Sequence, residues 1–278
     1  MKFGFGRGSA VLAALFLVAA APVHAQSAQA QSAQDETRLS LAYDGRLILK
    51  VLDIHVEQRL SPSGFGASAS LASFGALALF KTFDVKATSE GRIEDGEARP
   101  GVFHYENKDG RRDRHVAATW TGSDVEVTST PPYGDLGHPP ASHAQKLAAT
   151  DPLTQLMRMT LASNQANPCG GGAHLFFDGK QLYALDFGQG VTGGELLSNQ
   201  EHLGLTNLVR CSVRYREVAG FKAKPPAQRN QGLKRAIDVT FAQIGSGGPW
   251  VMALMQADTP LGPAYVELRH IRMVRPRA

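Results

Sequence analysis

From Thr37 to Val274 apolar and polar side chains alternate in short runs cut by glycine-containing turns, and one interval alone switches to helical spacing. A period of two sends successive side chains to opposite faces of a strand, so such runs build half-buried sheets. Thr37–Tyr43 alternates in this way, and Arg46–Leu60 carries Leu47, Leu49 and Val51 on one side. Asp44-Gly45 between them has the chemistry of a two-residue hairpin turn. Phe83–Ile93, Gly101–Asn107, Arg112–Thr121 and Asp124–Thr130 read as a meander. Phe65–Phe80 is small, apolar and uncharged, and suits either a strand or, from Ala72, a helix. Pro131, Pro132, Pro139 and Pro140 make Pro131–Ala149 a loop. The helix lies near 151–163: Asp151 can cap it, Pro152 suits its first turn, and Leu153, Leu156, Met157 and Leu161 share a stripe. Strand patterns then return at Ala173–Phe177, Gln181–Gly188, Leu203–Val218, Lys234–Ile244, Trp250–Gln256 and Tyr265–Val274. Without a βαβ rhythm the fold class is mainly β. The expected architecture is a single antiparallel, strongly curved sheet, an open barrel or β-spiral, wrapped around one central amphipathic helix. Two small sheets meeting near residue 150 are the alternative.

The first 25 residues have the form of an export signal. Lys2 and Arg7 precede an apolar run from Ala10 to Ala21, and small residues stand at Val23 and Ala25. Cleavage after Ala25 leaves no cysteine at the new terminus, which argues against a lipid anchor. Residues 26–36 begin QSAQAQSAQD and read as a disordered tether, and 37–276 form the β domain. Cys169 and Cys211 are the two cysteines, and an oxidising compartment such as the periplasm would let them pair. Closing that loop is worth roughly 4 kcal/mol by chain entropy. Cys211 shares a face with Val209, Val213 and Tyr215, which favours a buried bridge; a free nucleophilic Cys169 is the alternative reading.

Charge excludes some functions. The 29 basic and 25 acidic residues nearly balance, without the clustered excess of a nucleic-acid protein. No later apolar stretch reaches the roughly 20 residues that span a bilayer, so the mature chain is not expected to be membrane-spanning. The G-x-S-x-G elbow, the H-E-x-x-H zinc motif and the phosphate-binding P-loop are all absent. Asp135, His138 and His143 are the nearest approach to a metal set, but their spacing fits a polar loop better, so no metal and no cofactor is expected. Lys108, Arg111, Arg112 and Arg114, with His115, concentrate charge at one hairpin interleaved with Asp109 and Asp113. Such a tip suits anionic lipid, cell-wall carboxylates or a solvated surface. Trp120, Trp250, Tyr105, Tyr133 and Tyr183 read as core aromatics, with the lining of a sugar or lipid cleft as the alternative.

The order LAYDGRLILKVLD, FKTFDVKATSEGRI, DPLTQLMRMTL and PCGGGAHLFFDGKQLYALDF resembles the bacterial exported family known as domain of unknown function 3108. The likeness rests on Asp151-Pro152-Leu153, Asp178-Gly179-Lys180 with Tyr183, the two cysteines, and Tyr215 followed by Gly220-Phe221. It extends from about Thr37 to Val274. In outline the family is similar to periplasmic envelope-integrity proteins and, more distantly, to half-barrel lipoprotein carriers and receptors. The resemblance implies envelope maintenance and an apolar groove for an acyl chain, and it supplies no catalytic residues.

The expectation is a periplasmic, non-catalytic cell-envelope protein that binds a lipid or other apolar chain in its groove. Leu153, Leu156, Met157 and Leu161 are the candidate lining on the helix, with Phe176, Val209 and Val213 opposite. The runner-up is a scaffold contacting another periplasmic protein or the cell wall through the basic hairpin or Pro225–Gln231. A cell-wall or lipid hydrolase is the third reading.

Overall fold

The computed structural model describes residues 36–75, 78, 84–108, 113–162, 167–194, 196–223, 236–259 and 262–276. The export signal and all of the tether except Glu36 lie outside the described residues, as do Arg111, Arg112 and Pro225–Gln231.

Among the described residues, fourteen strands form one antiparallel sheet that curls on itself. They are β1 (Thr37–Arg46), β2 (Lys50–Leu60), β3 (Gly64–Ser73), β4 (Asp84–Glu94), β5 (Glu97–Lys108), β6 (Arg114–Trp120) and β7 (Val125–Thr130) in the first half. The second half holds β8 (Gly172–Phe177), β9 (Leu182–Phe187), β10 (Val191–Thr192), β11 (Leu205–Ala219), β12 (Ile237–Ile244), β13 (Trp250–Thr259) and β14 (Gly262–Val274). The strand order is β7-β6-β5-β4-β3-β2-β1-β14-β13-β12-β11-β9-β8, with β10 against β11. The chain therefore starts mid-sheet, works out to one edge, crosses to the other and returns to lay β14 beside β1. Alternation decides which face is inside: Leu39, Leu41 and Tyr43 of β1 are buried, while Arg38, Ser40 and Ala42 face outward.

Two helices, α1 (His143–Ala148) and α2 (Pro152–Leu161), occupy the crossing from edge to edge. The helix expected from sequence therefore has a companion, α1, in this crossing. The Ser142 hydroxyl and the Gln145 side chain form a capping box that starts α1 inside the proline-rich interval. Helix α2 packs on β3, β4 and β5 and reaches β13. Its inner stripe is Leu153, Thr154, Met157 and Thr160.

The first hairpin also departs from expectation. Asp44-Gly45 pairs within the ladder, opposite Asp53 and Leu52, and the chain turns instead at residues 47–49. Ile48 and Leu49 consequently stand at the tip, 88% and 68% exposed. The ambiguous Phe65–Phe80 segment is strand as far as Ser73.

The two sheet edges meet through side chains. Ala118 and Val125 from β6 and β7 share a buried cluster with Phe177 and Leu182 from the β8–β9 hairpin and with Ala219. Tyr133 lies across the junction, with the Arg114 guanidinium 4.3 Å and the Lys180 ammonium 5.3 Å from its ring centroid. Behind it Gly220, at φ +81°, lets two backbones touch: a Cβ there would sit 2.0 Å from the Lys180 carbonyl.

Cys169 and Cys211 form a disulfide with Cα atoms 5.9 Å apart. It is buried beside Val209, Val213, Val239, Phe241 and Trp250. No described helix is long and apolar enough to cross a membrane.

Candidate functional site: the cavity and cleft along the second helix

Asp151 sets the position of α2. Its Oδ1 accepts from the backbone N–H of Leu153 (3.0 Å) and Thr154 (2.9 Å), satisfying two donors of the first turn. Its Oδ2 accepts from the Thr154 hydroxyl and from Ser89 on β4, the latter at 3.1 Å. The carboxyl is fully buried, and burial raises its pKa against the lowering effect of those donors. Near the other end, the Thr160 hydroxyl donates to Gln58 Oε1 of β2 at 2.8 Å. The helix is thus pegged to the sheet at two points, and it does not settle fully onto the wall between them.

The space left is an apolar cavity of about 240 Å³. Leu156, Met159 and Thr160 form its helix side; Leu41, Tyr43, Val56, Ala69, Trp250 and Met252 are among the sheet residues facing them. Ala69 contributes only a methyl where a larger side chain would fill the gap. Burial raises the Tyr43 phenol, which stays neutral in this wall. An apolar cavity of roughly 150 Å³ already stays dry and takes up benzene, so this one accommodates a longer hydrocarbon segment.

Met159 also lines a second space, a polar-mouthed cleft of about 570 Å³. Its floor includes Leu161, Phe187 and the Cys169 end of the disulfide, and its rim carries Asp95, Glu97, Arg99, Gln155, Arg158 and His174. Arg158 donates through Nε to the Ala98 carbonyl at 2.9 Å and has no carboxylate in ion-pair reach among the described residues. Desolvation lowers its pKa, and desolvation together with Arg158 lowers that of His174, which keeps the imidazole neutral at pH 7. Gln155 Oε1 is buried with no hydrogen-bond partner among the described residues. Such an orphan acceptor costs on the order of 1–3 kcal/mol until a donor reaches it.

The seven groove residues expected from sequence fall in different places. Leu156 lines the cavity and Leu161 the cleft. Leu153 and Met157 are packed against Phe65, Ala98 and Phe103, and Val209 and Val213 lie in the disulfide cluster. Phe176 is buried and stacks on Tyr183 with centroids 5.3 Å apart. Sequence reasoning missed Gln58, Ser89, Gln155, Arg158 and Met159. One signal was available, because period two along β4 puts Ser89 on the inward side with Val85 and Ala87.

Other candidates are engaged elsewhere. Lys108 pairs with Glu106 at 3.0 Å, and Arg114 donates to the Pro131 carbonyl at 2.6 Å. His143 pairs with Asp124 at 3.1 Å, while Asp135 accepts from the Gly137 N–H at 2.7 Å. No grouping of three metal-ligating side chains occurs among the described residues. Asp178 accepts from the N–H groups of Lys180 and Gln181, as turn chemistry requires.

No family model matches the chain, and no curated relative matches it. Among solved structures it is similar to the crystal structure of a beta-barrel-like protein of domain of unknown function DUF1849 from Brucella abortus. The two are 11% identical, over 86% of this chain and 98% of the other, with a TM-score of 0.48.

Proposed function

We propose that this is an exported, non-catalytic cell-envelope protein that holds an amphipathic molecule along α2. The chain of that ligand occupies the apolar cavity and its polar head lies in the cleft beside Arg158 and Gln155. The observation that carries this reading is the pair of spaces flanking Met159, one apolar and one rimmed by a guanidinium and an orphan acceptor. An anionic head that also donates a hydrogen bond, such as a protonated phosphate ester, suits both groups. The cavity is too small for a whole long acyl chain, so the remainder runs out through the cleft. The resemblance to domain of unknown function 3108, with its implied periplasmic location and acyl groove, points the same way, and a disulfide fits an oxidising compartment.

Displacement titration with a fluorescent long-chain fatty acid tests it. Leu156→Trp fills the cavity from the helix side and is expected to weaken binding by about tenfold or more, equivalent to about 1.4 kcal/mol. Thermal unfolding of the same variant checks that the fold is retained. Equal affinity in a folded Leu156→Trp protein, or no uptake by the parent, rejects the reading.

A further inference from the structure

A second concave site lies on the outer face of the sheet, away from α2. It is a cleft of about 830 Å³ where the start of β1 and the end of β14 meet β2. Arg38, Arg59, Arg272 and Arg275 line it, together with Glu36 and Glu57. Four guanidinium groups stand against these two carboxylates and a third, Glu90, which lies 4.0 Å from Arg59 at the edge, leaving an excess of one positive charge.

The arginines are arranged by the ladder. Arg38 stands directly opposite Arg59, a cross-strand like-charge pair that is unfavourable unless bridged. Glu36 supplies the bridge, 3.2 Å from Arg38 and 3.9 Å from Arg59. Gly66 faces Arg59 across β2 and β3, and a Cβ there would sit 3.0 Å from the guanidinium Nη2. The glycine therefore leaves room for that guanidinium to lie flat along the strand. Arg272, opposite Ser40, and Arg275 beyond the strand have no carboxylate in ion-pair reach among the described residues. Two arginines held by a bridging glutamate and two left unpaired make an anion receptor with open valence. Guanidinium forks match phosphate oxygens in pairs.

Its place in the fold indicates which anion. Thr37 pairs with Leu60, Gly64 with Arg92, and Glu94 with Glu97, so this end of β1 shares a rim with the β4–β5 turn. Asp95 and Gly96 of that turn border the mouth of the Arg158 cleft. Guanidinium groups on the outside of the rim where an internal cleft opens would set that mouth against a surface of anionic headgroups. We infer that Arg38, Arg59, Arg272 and Arg275 dock this rim onto a lipid surface through its phosphate groups. The inference stands apart from the contents of the cavity.

Vesicle co-sedimentation of the full mature chain, at low and fixed ionic strength, tests this directly. The parent is expected to bind vesicles containing phosphatidic acid and to leave phosphatidylcholine vesicles unbound. Arg272→Gln with Arg275→Gln is expected to reduce partitioning on the order of 30-fold, about fivefold for each guanidinium removed. Glu57→Gln removes a competing carboxylate and is expected to strengthen binding about fivefold. Arg216→Gln removes an arginine paired with Asp186 on β9 and is expected to change nothing. Thermal unfolding of each variant confirms that it is folded. Equal binding by parent and double variant overturns the inference, as does equal loss in Arg216→Gln. Displacement by inorganic phosphate, beyond that by sodium chloride of equal ionic strength, would make this a soluble-phosphate site and overturn the lipid-surface assignment.

Discussion

Replacing Cys169 and Cys211 together by alanine is expected to lower the unfolding free energy by about 4 kcal/mol, within the usual range of about 2–5 for such a bond. The two residues are 42 apart in sequence, and the bond removes closure entropy from the unfolded chain roughly in proportion to the logarithm of that loop. Both sulfurs are buried, at 1% and 0% exposure, so alanine is the right replacement because serine would bury a hydroxyl. In a chain of this size about 4 kcal/mol corresponds to a melting shift of roughly 8–16 °C. Urea unfolding gives a second signature. Without the crosslink the unfolded chain expands, so the denaturant slope rises along with the fall in midpoint. Reducing the parent with dithiothreitol should reproduce both changes. An unchanged midpoint in the alanine variant would remove the bond from any account of stability.

Asp151→Ala carries the second large effect, expected near about 2–3 kcal/mol. Losing a carboxylate cap costs about 1–2 kcal/mol, and buried hydroxyls left without their acceptor cost about 1–3 more. Ser89 and Thr154 are those hydroxyls, and they stay within 3.1 Å of one another, which keeps the loss at the lower end. Asp151→Asn keeps an acceptor for the Leu153 and Thr154 N–H groups and offers donors to both hydroxyls. Its cost is expected to be much smaller, and it also separates charge from geometry. Burial raises the Asp151 carboxyl above the usual carboxylate range, so the folded protein binds this proton more tightly than the unfolded chain does. The stabilisation is complete in acid below the ordinary Asp value and is lost as pH rises through the folded value. Stability of Asp151→Asn relative to the parent should therefore increase with pH across that window. A difference that is flat with pH would show that the donors around the carboxylate cancel its burial.

Local rules made the strands and α2 readable, because alternation and a Asp-Pro start depend on neighbours in sequence. They failed where a non-local ladder overrode them. Asp44-Gly45 has turn chemistry, yet β1 continues past it: Arg46 pairs with Glu267 at 2.9 Å, and Lys50 reaches Asp44 at 2.8 Å. The turn is displaced onto Leu47, Ile48 and Leu49, which have no turn signature at all. Helix α1 hid behind prolines, although Ser142 and Gln145 spelled out its cap. The cavity was the least legible feature. It needs Leu41, Ala69, Leu156 and Trp250 brought to one place by registers that no window of sequence contains. Helical spacing identified Leu153 and Met157 as inward but gave no means of separating packed positions from those bordering a void. The outer arginines are spread from Arg38 to Arg275, and only the pairing of β1 with β14 collects them.

At the junction between β6–β7 and the β8–β9 hairpin, no strand-to-strand ladder occurs among the described residues. Ala118, Val125, Phe177 and Leu182 interlock there, and Tyr133 spans the gap. Side chains can slide where a ladder would have to break. The chain between β7 and β8 limits that slip, because Thr150 exchanges backbone bonds with Leu175 and Phe177, and the Gly220 N–H donates to the Pro139 carbonyl. The girth is thus set by a hem stitched to the chain between β7 and β8 rather than by one more pair of strands.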